Sequence, residues 1–170
     1  AKAEEHIRKN SKKRFELVVF DFPGHAGTSD LLELSLEMDY ILSPIEADVQ
    51  SMVSCLAYAK TMQDLGVSMT GARIKDVMLL WNKVDRRVKS TLIEKYSEYI
   101  RNEGYTLFDE HVYAAHRFCH ELEQYGFRGA FRSTYLAPGK ALRAGTGLDE
   151  LIDNLLTHIR LKKEAGNGTD

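Results

Sequence analysis

The 170-residue chain is poor in cysteine, proline and tryptophan, with two, three and one respectively, and has no strong charge of either sign. No stretch approaches the roughly 18 consecutive apolar residues of a membrane span, so no membrane association is expected. Nor does an apolar leader follow the first residues. Cys55 and Cys119 do not form a C-x-x-C pair, so neither a disulfide framework nor a zinc ribbon is indicated, and a reducing cytoplasm fits. The formal net charge of −2 gives no global attraction to nucleic acid or anionic lipid; any such contact must come from a local patch. Internal repeats and low-complexity tracts are lacking. The chain opens with Ala1 instead of Met, which points to a segment left out upstream.

What is present is a 44% hydrophobic, 28% charged chain, enough for one domain with a substantial core. Residues 1–14 form a charged segment with the reading of a solvated helix face, residues 15–163 a single α/β domain, and residues 164–170 a disordered tail. Phe15 to Phe20 is an apolar, β-branched and aromatic run of the kind that marks a parallel strand buried on both faces, and it ends in Asp21, Pro23 and Gly24. Thr28, Ser29 and Asp30 offer N-caps to a short helix. Tyr40 to Ile45 is a second strand run, and from Asp48 a long helix carries Val49, Met52, Val53, Leu56 and Ala59 on one stripe as far as Gly66. Asp76 to Asn82 is a third strand run. Thr91 to Glu94 has the form of a capping box opening a helix to Gly104, and Thr106–Phe108 with His111–Tyr113 reads as a less regular fourth strand. Arg117 to Tyr125 reads as a short helix and 126–147 as loops. A last helix sets Leu148, Leu151, Ile152, Leu155 and Ile159 on one face.

Strands alternating with helices at this spacing imply an α/β fold, a mainly parallel sheet with helices on both faces. In such a sheet the strand carboxyl ends share one edge, where ligands bind, so Asp21, the 44–48 turn, Asn82 and Asp85 are expected to face one ligand. Asp21-x-x-Gly24 followed by Asn82-Lys-Val-Asp85 is the order of a nucleotide hydrolase: an acid and a backbone N–H near Mg²⁺ and the terminal phosphate, then an amide and a carboxylate for a purine edge. Taken literally, the two motifs resemble the phosphate-sensing and guanine-reading motifs of small GTPases.

A second resemblance covers more of the chain. The strand ending Asp21-Phe-Pro23, the stretch Asp39-Tyr-Ile-Leu-Ser-Pro-Ile-Glu-Ala-Asp48 and the run ending Asn82-Lys-Val-Asp-Arg-Arg87 resemble the ParA/MinD family of deviant Walker-type ATPases, most closely the ParA-type proteins of conjugative transposons, over about residues 14–160. The resemblance implies a P-loop NTPase-like fold, ATP and Mg²⁺ as cofactors, Asp21 as the catalytic acid acting on Mg²⁺ and its water, and Asn82 beside the adenine. It further implies a homodimer around ATP, a partition or transfer protein as partner, and non-specific DNA binding, with Arg117 and the Lys140–Arg143 segment near the places where such proteins touch DNA. The family's phosphate loop is missing: no G-x-x-x-x-G-K-[ST] occurs, Gly139-Lys140 lacks its flanking residues, and Gly145-Thr-Gly147 lacks the third glycine of a dinucleotide fingerprint. The family's Ile-Pro near the fourth strand is replaced by Val112-Tyr113. The expectation is therefore the later part of a ParA-like ATPase without its first strand and phosphate loop, inactive as this chain. The alternatives are a GTPase and a non-catalytic scaffold domain.

Other constellations carry less. His116, Cys119 and His120 have helical metal-ligand spacing but no fourth ligand. Ser54, Cys55 and Tyr58 read as packing, His25 as a loop residue, and the tyrosines 96, 99 and 105 as core and helix staples. Arg86, Arg87, Lys89, Arg128 and Arg132 read as a mixed-charge surface.

Overall fold

A computed structural model describes residues 5, 9, 15–22, 29–87, 91–115 and 139–161. Its elements are α1 (Ser29–Leu36), β1 (Tyr40–Ile45), α2 (Val49–Ser68), β2 (Asp76–Val84), α3 (Thr91–Asn102), β3 (Thr106–Tyr113), α4 (Lys140–Arg143) and α5 (Leu148–His158). Among the described residues the sheet has three strands in the order β1-β2-β3, all parallel. The expected α/β class with a parallel sheet and helices on both faces is what the chain forms.

β2 is the central strand because its residues can be buried from both sides. Val77, Met78, Leu79, Leu80 and Trp81 are all buried, and alternate residues point to opposite layers. Val77, Leu79 and Trp81 join Ile41, Ile45 and Leu107 beneath Met52, Ala59 and Met62 of α2 and Ile93 and Ile100 of α3. Met78 and Leu80 join Phe108 and meet Leu151 of α5, with Leu155 and Ile159 at the margin. Both crossover helices lie on one face, as two crossovers of the same hand require. β1, at the sheet edge, accommodates Pro44, which has no N–H to give a ladder.

The helix boundaries follow from local chemistry. Asp48 caps α2 by accepting from the backbone N–H of Ser51 at 2.8 Å. α3 ends in a Schellman motif: Gly104 has φ 84°, its N–H reaches Arg101 O at 3.0 Å, and Tyr105 N–H reaches Ile100 O at 3.1 Å. Glu5 and Lys9 pair at 2.6 Å with both side chains exposed.

Three expectations need correction. Phe15 to Phe20 forms no strand: Phe15, Leu17, Val18 and Val19 are 53%, 45%, 40% and 80% exposed. Strand propensity is realised only through pairing and cover, and this segment has neither. On α2 the buried stripe is Met52, Ala59 and Met62, whereas Val49 and Val53 face outward. On α5 Ile152 is turned away from the sheet. The expected helix 117–125 and the terminal tail lie outside the described residues, and residues 139–147, read as loop, contain the single turn α4.

One polar group lies deep in this core. Trp81 is fully buried and donates its indole N–H to Ser97 Oγ of α3 at 2.8 Å. Ser97→Ala leaves that donor without an acceptor and is expected to destabilise the protein by about 1–3 kcal/mol. Urea unfolding followed by tryptophan fluorescence measures it; an unchanged midpoint would show that water replaces the serine.

Candidate functional site at the carboxyl edge of the sheet

The carboxyl ends of β1 and β2 are tied together by charge. Glu46, the first residue after β1, meets Lys83 Nζ at 2.5 Å, and Lys83 adopts φ 53°, unusual for a residue with a Cβ. Asn82, directly before Lys83, is half-buried. Asp85 follows and accepts from Arg87 three times, at Oδ1 from the backbone N–H and Nε and at Oδ2 from Nη2 at 2.7 Å. In the 44–48 turn Asp48 is committed to capping α2, while Glu46 N–H donates to Ser51 Oγ at 3.1 Å.

The carboxyl end of β3 closes the edge from the other side. Ala114 N–H donates to Val84 O at 3.0 Å, and Tyr113 N–H donates to Thr146 O at 2.9 Å, which brings residues 139–147 onto the strand end. Thr146 is buried and its hydroxyl donates to Arg143 O at 2.6 Å. Gly147 has φ 79° and presses on β3 so closely that a Cβ there would lie 2.1 Å from His111 O. Arg86 spans the two parts: its guanidinium carbon is 3.8 Å from the centre of the Tyr113 ring and its Nη2 donates to Gly145 O at 2.7 Å.

Of the expected site residues, Asn82 and Asp85 share this edge with Glu46, as the parallel sheet requires. Asp21 is exposed and in no regular element, and no hydrogen bond or ion pair among the described residues joins it to the strand ends. Gly24 and Arg117 lie outside the described residues, as do His25, His116, Cys119 and His120. Lys140 is exposed at the start of α4; Arg143 holds Asp149 at 2.6 Å and must release it to reach a phosphate. Among the described residues no three His, Cys, Asp or Glu side chains are grouped to hold a metal ion. Asp21 alone suits Mg²⁺ only where water and phosphate oxygens complete the octahedron.

Cys55 and Tyr58 are packing groups, as expected, whereas Ser54 is exposed. Tyr58 donates to Ser35 Oγ at 3.0 Å, and Cys55 sits 2.9 Å from Ser43 Oγ, where burial pushes the thiol up against a smaller opposing effect of that hydrogen bond. Such a thiol stays protonated at neutral pH and is a poor nucleophile. Sequence reasoning missed Arg86, Tyr113 and the Gly145–Gly147 turn as a unit. The available signal was Gly147 immediately before an apolar helix, but its partners are remote in sequence.

An open cleft of about 560 Å³ lies at the opposite, amino edge, lined by Tyr40, Lys75, Asp76, His158, Ile159 and Arg160. There Asp76 Oδ2 accepts from Thr106 Oγ1 at 2.9 Å and contacts His158 Nε2 at 2.7 Å, so its carboxylate serves to anchor the end of α5. Ligands of parallel α/β sheets bind at the carboxyl edge, and that edge carries the functional reading. No protein-family model, curated protein or solved structure matches the chain. No helix among the described residues is long and apolar enough to cross a membrane.

Two outcomes follow from this geometry. Gly147→Ala combines a positive φ with a Cβ overlapping a carbonyl oxygen and is expected to cost about 2 kcal/mol or more in urea unfolding. A loss below 0.5 kcal/mol, roughly the scatter of a neutral surface change, would mean that the loop moves freely. His111 is held below the ordinary imidazole value of about 6.5, first by burial and then by Arg101, against smaller opposing effects of Asp109 and Glu110. Its neutral form is therefore favoured in the folded state. Its contribution is full above the unfolded value and is lost as pH falls from there through the depressed folded value. His111→Gln is expected to flatten the stability profile over that acid limb; an unaltered slope would remove His111 as the cause.

Proposed function

We propose that the chain is an ATPase-type domain of the ParA/MinD kind, with ATP and Mg²⁺ as its cofactors and a role in DNA partition or conjugative-element maintenance. The observation that supports the reading is the placement of Asn82 and Asp85 at the carboxyl end of the central parallel strand, beside Glu46 and the docked 139–147 loop. An amide side chain offers a donor and an acceptor side by side, the pattern that pairs with the edge of adenine. Both oxygens of Asp85 are engaged by Arg87, which favours reading through Asn82 over the free carboxylate that a guanine reader uses. In this reading Asp21 would supply the carboxylate for Mg²⁺ and its water and Gly24 a backbone N–H for the terminal phosphate; Asp21 stands exposed beyond a segment that forms no strand, and Gly24 lies outside the described residues. The wider reading is of a cytoplasmic protein that dimerises around ATP and binds a partition or transfer protein. Arg117, Lys140 and Arg143 neutralise phosphates of DNA without sequence preference.

Phosphoryl transfer in this class depends on a nest of backbone N–H groups and a lysine around the β- and γ-phosphates, and residues 1–170 contain no such motif. The triphosphate would lack that nest and its lysine, and the cations described at this edge, Lys83, Arg86 and Arg87, are engaged by Glu46, Gly145 and Asp85. The chain is expected to bind Mg-ATP only at about millimolar affinity, roughly 4 kcal/mol, and to release no phosphate above buffer. Asn82→Ala is expected to weaken that binding by about 1–2 kcal/mol through lost hydrogen bonds. Titrations with Mg-ATP and Mg-GTP followed by amide shifts, with a phosphate-release assay, test this. Micromolar affinity or turnover would reveal a phosphate site elsewhere, stronger binding of GTP would move the assignment to a GTPase, and indifference to Asn82→Ala would reduce it to a turn residue.

A further inference from the structure

At the carboxyl end of β2 the ladder with β3 slips by one residue. Trp81 pairs with His111 and Val84 with Tyr113, so Asn82 and Lys83 together stand opposite Val112 alone. The step is a β-bulge, and the extra residue is accommodated by Lys83 at φ 53°, a left-handed conformation that glycine adopts with far less strain. Bulges re-aim side chains beside ligand sites, and residues with a Cβ held in such a conformation cluster there too. Here the bulge carries Lys83 Nζ to Glu46, the residue after β1, at 2.5 Å.

The cations described at this edge are held in different ways. Arg87 closes back on Asp85, two residues away, through three hydrogen bonds. Arg86 lies over the Tyr113 ring and gives an N–H to Gly145 O. Lys83 meets Glu46 with both side chains open to water, 65% and 45% exposed. An exposed ion pair contributes little to stability, and an ammonium group exchanges a carboxylate for a phosphate oxygen with no planar fork to realign. Lys83 is thus the cation that a ligand recruits with least loss, and Glu46 stands where the ligand's anionic group would stand.

We infer that Lys83 is the phosphate-binding cation of the carboxyl edge and that Glu46 masks it: a ligand bearing phosphate displaces the Glu46 carboxylate and takes Lys83 Nζ as its donor. The inference rests on the nucleotide reading only in taking phosphate as the ligand's anionic group. Glu46 is then an autoinhibitory contact, since every phosphate competes with a carboxylate already in place. The other carboxylates near the strand ends do not compete for Lys83, because Asp85 is engaged by Arg87 and Asp48 by the Ser51 N–H.

The test compares the ¹⁵N-labelled 170-residue chain with its Glu46→Gln, Lys83→Gly and double variants, by amide shifts on titration with Mg-ATP and, separately, with inorganic pyrophosphate. Glu46→Gln is expected to tighten both ligands about threefold, the size of one exposed ion pair, and Lys83→Gly to weaken both about threefold. Once Lys83 is replaced, Glu46→Gln is expected to gain nothing further, because no cation is left to unmask. Glycine suits the left-handed position, so Lys83→Gly is also expected to unfold in urea at or above the parent midpoint. An equal gain from Glu46→Gln in both backgrounds would overturn the inference, leaving only the removal of a negative charge near the site. Unaltered affinity in Lys83→Gly would overturn it too, as would a fallen urea midpoint, which would make Lys83 a residue of the fold, or pyrophosphate that leaves the amides of residues 46 and 83 unmoved. Pyrophosphate shifts at Glu46 that vanish in Lys83→Gly, with no response of Asn82 to Mg-ATP, would support the Lys83 site and end the nucleotide reading. Asn82 shifts with Mg-ATP that are indifferent to both variants would do the reverse.

Discussion

Burial of β2 from both sides is the constraint on which the rest of the structure depends. Five consecutive residues from Val77 to Trp81 are removed from water, and each side chain of this size is worth about 1.5–3 kcal/mol when fully buried. Odd and even positions feed two separate clusters, so β2 needs α2 and α3 on one face and α5 on the other. With cover on both faces the flanking strands run parallel, each returning through a helix. Polar residues can then appear only where β2 emerges from the layers, at Asp76 on one edge and at Asn82, Lys83 and Asp85 on the other.

The two edges are finished differently. At the amino edge the charges are spent on structure: Asp76 accepts from Thr106 and contacts His158, while Lys75 pairs with Asp39 at 3.1 Å and lies over Tyr40. At the carboxyl edge Lys83 bends into a left-handed conformation, Gly145 and Gly147 do the same, and Arg86 reaches across to the turn. Positive φ at a residue with a Cβ costs free energy that packing elsewhere must offset. Arg160 in the amino-edge cleft has a positive φ of 62° as well, so what sets the carboxyl edge apart is the half-buried polar Asn82 and Asp85 together with a docked glycine turn. That arrangement supports a ligand site there, although an open cleft lies at the other edge.

Much of the fold was legible because apolar run length and cap chemistry are local signals. Tyr40 to Ile45 and Asp76 to Asn82 announced β1 and β2, Asp48 announced α2, and Gly104 the end of α3. Phe15 to Phe20 carries the same signal yet lies exposed, since composition records what a segment could bury and not which neighbour will cover it. Val49, Val53 and Ile152 were placed on buried faces for a related reason: a helical stripe defines a face only to within a turn of the helix, and packing selects the angle. Asn82 and Asp85 were legible as polar residues ending a buried run. The contact of Arg86 with the 145–147 turn was not, because Arg86 and Gly145 are 59 residues apart and a carbonyl acceptor leaves no trace in side-chain identity.

The central proposal is that the carboxyl edge of this sheet is a purine site. Saturation-transfer NMR with Mg-ATP, combined with mapping of backbone amide shifts over the described residues, addresses that directly. The account expects transfer strongest at the adenine protons H2 and H8 and shifts confined to residues 46, 82–87, 111–114 and 145–147. Shifts gathered instead at Lys75, His158 and Arg160, with transfer to the ribose or none at all, would contradict it.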